Sequence, residues 1–483
     1  MVFPAKYSNL FLERTLLAGI LFLFFLIVHK GWVGMSMEPD GLIYASVSAH
    51  LAEGIGSFWF PYSMFNEPSF HHHPPLAFGL QSLLFSLFGD EYYVENVYQI
   101  ICLLAVVGLM CGCWQLGARL AGRQTADGRW FLLLLFFSMP IIAQSFTNNY
   151  LENTLTVFTL AAVYSLLRIQ DKNPYFLSCF IAGFFTVAAL LVKGPVGLFP
   201  LAVLPIVLLT IGGSLNRAFV SLLIYLTVIC LSFALLFLDE AARESILLYV
   251  NFQLVGTLDG VRPQVHGRSY VLERLLQNLI GPGLLVFGLV IWRLKTNYRA
   301  KQSEKPDHLH FSRFNRESIL WLLIALSASI PLLVSPRHLS QYIVPSLPFY
   351  SLFLASLLRP WLDQLLLRVR PLLKGGIPVV TVALILLTVI VSWRDIGVIE
   401  RDHNVISDME RVTQLVPRAE AIGLCVSSDS IYRLLMYLSR HHSIKTTTMS
   451  EANFLFCDNP QIVPRGYKLV TPRLNTIPMY SRE

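Results

Sequence analysis

LAFGLQSLLFSLFG, Leu76–Gly89, is the stretch on which the topology turns. It is apolar but only 14 residues long, against the roughly 20 that a helix needs to cross a hydrocarbon core. Read as a crossing helix, it inverts the side of every later loop. Read as a short interfacial or re-entrant helix, it leaves the basic loops at 118–129, 168–174, 294–316 and 359–375 on one face of the membrane. The stretch from Gly31 to Asn96, which holds no Lys or Arg, then falls on the other face. Cytoplasmic loops carry the excess of Lys and Arg, so the second reading is selected: the N-terminus is cytoplasmic and the C-terminal tail lies outside.

Working outward, the chain has 483 residues, 54% hydrophobic and 14% charged, with a mean hydropathy of +0.58. That is far too apolar for a soluble domain of this size and marks an integral membrane protein. The net charge of +7 sits in short bursts between apolar runs, which membrane topology explains, and nucleic-acid binding is excluded. Eleven runs approach spanning length: 14–31, 97–117, 130–147, 150–168, 175–192, 195–212, 217–238, 272–293, 317–335, 341–358 and 376–394. The expected fold is all-α and polytopic, with about 11 spans and juxtamembrane helices on the outer face.

From about Arg394 the character changes. Short β-type runs (AIGLCVS from Ala421, SIKTTTM from Ser443, NFLFC from Asn453, YKLVT from Tyr467) alternate with the amphipathic stretch SIYRLLMYLSRHH. A small extracytoplasmic α/β domain over 395–483 is expected, following a membrane domain over 1–394 whose outer loop is 32–96. Five cysteines lie in apolar stretches, where a buried thiol is ordinary; Cys425 and Cys457 fall in the tail and are free to pair or not.

The chemistry is sought among ionisable groups at the outer ends of spans. Asp40 follows Pro39 at the start of a helix-like run, which suits either a helix cap or a carboxylate held at a helix N-terminus beside a lipid head group. His71, His72 and His73 precede Pro74-Pro75, whose fixed backbone aims the preceding side chain. A histidine there can bond a phosphate. A metal is disfavoured, because adjacent histidines do not readily converge on one ion. Glu152 begins an otherwise uncharged span, Lys193-Gly194-Pro195 makes a tight outer turn, and Arg337-His338 lies at another outer end. Snorkelling to the interface is the alternative for each cation. Together the charges are one-sided. Carboxylates beside cations at a lipid boundary suit group transfer from a phospholipid-like carrier, with a cation steadying the departing phosphate and a carboxylate deprotonating the acceptor hydroxyl.

The order of these motifs resembles the C-type glycosyltransferases, in particular the protein O-mannosyltransferase and lipid A aminoarabinose transferase group. The motifs are Asp40 early in the first outer loop, HHHPPLAFGLQSLLFSLFG, Leu151-Glu152, LLVKGPVGL around Lys193, and Tyr342 to Pro348 in QYIVPSLP. The resemblance covers about residues 10–395. It implies an inverting transferase that takes a sugar from a polyprenyl-phosphate carrier; the short cytoplasmic loops and compact outer domain point to a bacterial inner membrane with a periplasmic active site, the alternative being the eukaryotic endoplasmic reticulum with a luminal one. The resemblance further implies Asp40 as the base, His73 near the carrier phosphate with His72 beside it, and Glu152 orienting the acceptor or a phosphate-binding cation. Lys193 and Arg337 become phosphate contacts, with Arg262, His266 and Arg268 of the outer loop 239–271 as further ones and Tyr342 as a substrate-site residue. Many relatives carry a second acid after the first-loop Asp, where this chain has Gly41. No Gly-rich nucleotide-sugar motif occurs, which is consistent with a lipid-linked donor. The sequence points to no particular cofactor; metal dependence is open, and a divalent metal is an option that the ligand set does not favour. The acceptor is a lipid, another glycan or a protein hydroxyl, and the rival functions are a flippase or transporter of lipid-linked sugars and a lipid-linked glycan polymerase or ligase.

Overall fold

The computed structural model describes residues 5–63, 69–123, 128–171, 175–256, 266–267, 269–301, 315–335, 338–368, 371–427 and 431–482. The membrane part comprises α1 (Ala5–Val33), α2 (Pro39–Ala52), α3 (Leu76–Phe88), α4 (Val94–Leu120), α5 (Arg129–Phe137), α6 (Pro140–Thr147), α7 (Leu151–Asp171), α8 (Tyr175–Lys193), α9 (Val203–Thr210) and α10 (Leu215–Leu236). It continues through α11 (Glu240–Tyr249), α12 (Ser269–Lys301), α13 (Arg316–Ser329), α14 (Leu347–Arg368) and α15 (Pro371–Arg394). Tight 3-10 segments occupy Gly194–Ala202, Ile330–Val334 and Ser340–Ser346. Helix α1 lies along α15, and α7 packs between α4 and α8 at the centre.

The expected spans are not matched one for one. Eight helices of the described residues are long and apolar enough to cross, or nine if α5 and α6 count as one span bent by 77°. The bend has a local cause: Pro140 opens α6 and cannot continue the helical hydrogen bonding. Asn278 of α12 repairs it, its Oδ1 accepting from the Ile141 N–H at 2.9 Å. Helix α7, the expected span 150–168, carries too many polar groups to qualify by hydropathy. The expected spans 175–192 and 195–212 follow one another without a loop over Tyr175–Thr210, as helix, 3-10 segment and helix. This run nevertheless reverses at the Lys193–Gly194 turn. A Cβ on Gly197 would meet the Ala189 backbone at 2.8 Å, whereas eight residues of a straight helix span about 12 Å. Leu76–Phe88 is a short apolar helix, as its length requires.

Asp40 is not a cap. Glu38 precedes α2 with extended backbone, and Asp40 lies in the first helical turn, where the aligned N–H groups favour a carboxylate.

The tail folds as α16 (His403–Leu415), β1 (Ala421–Leu424), α17 (Tyr432–His442), β2 (Lys445–Thr447), β3 (Phe454–Phe456), β4 (Tyr467–Leu469) and β5 (Met479–Arg482). The sheet order is β2-β1-β3-β5-β4, with β1 parallel to β2 and β3, and β5 antiparallel to β3 and β4. The four expected strands and the amphipathic helix are present; α16 and β5 are additional. Cys425 and Cys457 are joined as a disulfide.

The tail packs on α2. Arg440 of α17 has no exposed side chain; it donates to Glu95 at 2.7 and 3.1 Å, to Asp90 and to the Glu91 carbonyl at 2.9 Å, and stacks over Phe85. His50, near the end of α2, is 1% exposed beside the Tyr62 ring. Burial holds its imidazole below the ordinary 6.5. The unfolded chain therefore takes up a proton near pH 6.5 that the folded chain refuses, so this group costs stability as the pH falls below that value. In thermal unfolding of wild type and His50→Asn from pH 8 to pH 5, the wild type is expected to lose the larger share of its melting temperature on the acid side.

Candidate active site

Helix α2 presents Asp40 and, one turn on, Tyr44 along the same face. The Tyr44 hydroxyl lies 3.2 Å from His73 Nε2, at the entry to α3. Its phenol is pushed well above the usual range, first by burial and then by the negative charges of Asp40 and Glu152. Tyr44 therefore stays protonated between two carboxylates from distant parts of the chain.

Glu152, in the first turn of α7, and Lys193, the last residue of α8, form a buried ion pair; the residues are 1% and 8% exposed. The Lys193 ammonium also faces the Tyr342 ring at 4.7 Å from its centre, an arrangement that stabilises a desolvated cation. Tyr249 donates its hydroxyl to the Lys193 carbonyl at 3.5 Å. Gly194 accommodates this turn with φ of +65°, and a Cβ there would collide with the Tyr249 hydroxyl at 2.1 Å. Gln341, beside Tyr342, donates to Asp40 Oδ2 at 3.3 Å. The chain from Asp40 through Gln341-Tyr342 to Lys193 and Glu152 is thus continuous.

A cavity of about 810 Å³ opens against these groups, lined by His73, Glu152, Lys193, Tyr249 and Tyr342. The rest of its wall is almost wholly apolar, including Leu198, Phe199, Leu323, Leu326, Pro331 and Val334. Such a cavity suits an amphiphile whose anionic head meets Lys193 and whose chain runs along the hydrocarbon side chains.

The start of α2 is held by an amide network. Asn149, at φ of +53°, donates to the Gly41 carbonyl at 3.0 Å and accepts from Gln81 at 2.7 Å and Gln99 at 2.6 Å. Asn153 donates to Gln99 at 2.6 Å and accepts from Ser145 at 2.5 Å. Asn148 accepts from the Glu38 N–H at 2.9 Å. A Cβ on Gly41 would lie 2.1 Å from the Asn148 carbonyl oxygen, so the position of the second acid found in many relatives has no room for a side chain here.

The structure brings Asp40, His73, Glu152, Lys193 and Tyr342 together. His72 stacks on Phe70 at 4.9 Å and packs against the tilted ring of Phe252 at 4.8 Å. His266 is exposed and stacks on Tyr270 at 3.9 Å. Arg262, Arg268 and Arg337 lie outside the described residues. Tyr44, Tyr249, Gln341 and Asn149 were not singled out from sequence; only Tyr44, at helical spacing from Asp40, and Gln341, inside QYIVPSLP, carried a signal. Among the described residues no cluster of three or more His, Cys, Asp or Glu is placed to hold a metal ion.

Residues 72–238, about a third of the chain, match the family described as dolichyl-phosphate-mannose-protein mannosyltransferase. No curated protein sequence matches the chain. Among solved structures, the crystal structure of ArnT from Cupriavidus metallidurans bound to undecaprenyl phosphate superposes with a TM-score of 0.63 at 14% identity, over 95% of this chain and 97% of that one. The same protein in the apo state gives 0.63 at 15% identity, over 96% and 97%. The resemblance read from the motifs is borne out: the chain carries the C-type membrane glycosyltransferase fold over nearly its whole length and, within residues 72–238, the sequence pattern of the mannosyltransferase family.

Proposed function

We propose that the chain is an inverting glycosyltransferase that moves a sugar from a polyprenyl-phosphate carrier to an acceptor hydroxyl at the outer face of a bacterial inner membrane. The observation that carries this reading is the apolar cavity closed by the Glu152–Lys193–Tyr342 group, with Asp40 one hydrogen bond away through Gln341. Asp40 takes the proton of the acceptor hydroxyl while that oxygen bonds to the anomeric carbon. The bond from that carbon to the phosphate oxygen breaks, and its electron pair leaves with the phosphate. Lys193 meets the charge that develops there; held by Glu152 in a water-poor site, it requires little reorganisation when the phosphate departs. His73, fixed by Tyr44, adds a second polar contact at the same wall. The basic loops and the disulfide support an outer placement of the site and of the tail, because disulfides persist in oxidising compartments. Lipid, glycan and protein hydroxyls are the acceptor classes this chemistry serves.

Purified wild-type protein in detergent, given labelled polyprenyl-phosphate sugars and a membrane extract, is expected to yield labelled product whose mobility identifies the acceptor class. Tight donor binding with no transfer to any acceptor pool, combined with movement of the donor from one leaflet to the other in proteoliposomes, would instead establish a flippase.

A further inference from the structure

The outer domain meets α2 on the segment that carries Asp40. Ser36 and Arg401 exchange two hydrogen bonds, Ser36 Oγ donating to the Arg401 carbonyl at 2.8 Å and the Arg401 N–H donating back at 3.1 Å. The Met37 N–H donates to the Tyr437 hydroxyl at 3.1 Å, and that hydroxyl donates to Asp402 at 3.1 Å. The Glu38 carboxylate accepts from Arg401 at 2.5 Å and from Arg433 at 3.3 Å, and Arg433 also pairs with Asp402 at 3.0 Å. Further along α2, Ser46 and Ser439 share a hydrogen bond of 2.6 Å. The apolar contacts say the same. Met37 and Leu42, which flank Asp40, are 3% and 0% exposed and belong to one core with Ile406, Met409, Leu434 and Leu438 of the outer domain. The helix start also rests on Asn148 and Asn149 of the membrane part, and Arg401 donates to the Asn148 side-chain oxygen at 3.0 Å.

We propose that the outer domain is part of the catalytic scaffold, and that Arg401, Arg433 and Tyr437 are positioning residues that fix the α2 start and hence the direction of the Asp40 carboxylate. This rests on the reading of Asp40 as the base. The physical basis is that general-base catalysis depends steeply on geometry, with a displacement near 1 Å costing about a hundredfold in rate. Of the cavity's polar groups only His73 is tied to α2, through Tyr44, whereas Glu152, Lys193 and Tyr342 belong to other elements, so loosening this contact affects turnover far more than carrier binding.

The full-length double variant Arg401→Ala/Arg433→Ala and the single variant Tyr437→Phe test this in detergent, with kcat, acceptor KM, affinity for unsugared polyprenyl phosphate and melting temperature recorded together. Arg401 and Arg433 are 43% and 41% exposed, so folding tolerates their loss better than that of buried Arg440. The expected result is a fall in kcat of about tenfold or more with carrier affinity within about twofold of wild type, and partial recovery of kcat in Arg401→Lys/Arg433→Lys. Unchanged kcat in both variants overturns the proposal. So does a parallel loss of kcat and carrier affinity, which indicates general loosening. A Ser46→Cys/Ser439→Cys pair, oxidised, is expected to keep wild-type turnover; its inactivation on oxidation, reversed by reduction, means that the domain must leave α2 during the cycle and likewise overturns the scaffold role. Asp40→Asn run alongside separates the failures: turnover retained there refutes the base itself, whereas a dead Asp40→Asn with fully active interface variants refutes only the positioning.

Discussion

Asp40→Asn is expected to lower kcat by about 10²- to 10⁴-fold, the usual contribution of a positioned general base, while the affinity for a polyprenyl phosphate stays near wild type. The replacement is isosteric and still meets Gln341, the neighbour 3.3 Å away, through an amide. Its peptide is anchored independently, through Asn149 to the Gly41 carbonyl and Asn148 to the Glu38 N–H. What the variant loses is the ability to take the acceptor's proton. Single-turnover transfer from a labelled donor, read beside equilibrium binding of the carrier, checks this: a kcat within a few-fold of wild type would remove Asp40 from the chemistry.

Lys193→Ala is expected to fail differently, in stability and carrier binding together. It leaves the Glu152 carboxylate, 1% exposed, without the ammonium that balances it. Removing one partner of a buried pair costs about 3–5 kcal/mol, because the remaining charge is neither solvated nor neutralised. A large drop in melting temperature in detergent is the expected readout. The neutral pair Lys193→Met/Glu152→Gln separates the two roles. It removes both charges and keeps much of the volume, so most of the lost stability returns, while the affinity for polyprenyl phosphate remains depressed because the Lys193 cation no longer faces the phosphate. Recovery of carrier affinity in that double variant would show that Lys193 serves packing alone.

Much of this architecture was legible because membrane proteins advertise expensive residues. Glu152 and Lys193 stood out as lone charges at the ends of apolar runs, and Asp40 as an acid just outside the first span. The short length of the Leu76–Phe88 helix was visible in the same way. The span count was harder to read, since hydropathy registers composition and not direction. It misses the polar central helix α7 and does not show that the chain turns back at Lys193–Gly194. The uncharged members of the site left little trace. Gln341 reaches Asp40 across 301 positions and Tyr249 reaches Lys193 across 56, and an uncharged amide or phenol inside an apolar run reads as ordinary helix filling. Asn149 is informative only once its left-handed backbone and its three amide partners are seen.

The contact between Met37 and Tyr437 joins residues 400 positions apart, which bears on how the protein is made. A ribosome makes Asp40 long before Tyr437 exists, and until then Met37 and Leu42 have no apolar partner from the tail. Asp40 is therefore made early and packed late, its helix start completed only by synthesis of the final ninety or so residues. On the proposed function, a nascent chain that already holds every cavity residue from His73 through Tyr342 still waits for the tail before the start of α2 is fixed, and the order of synthesis itself delays sugar transfer.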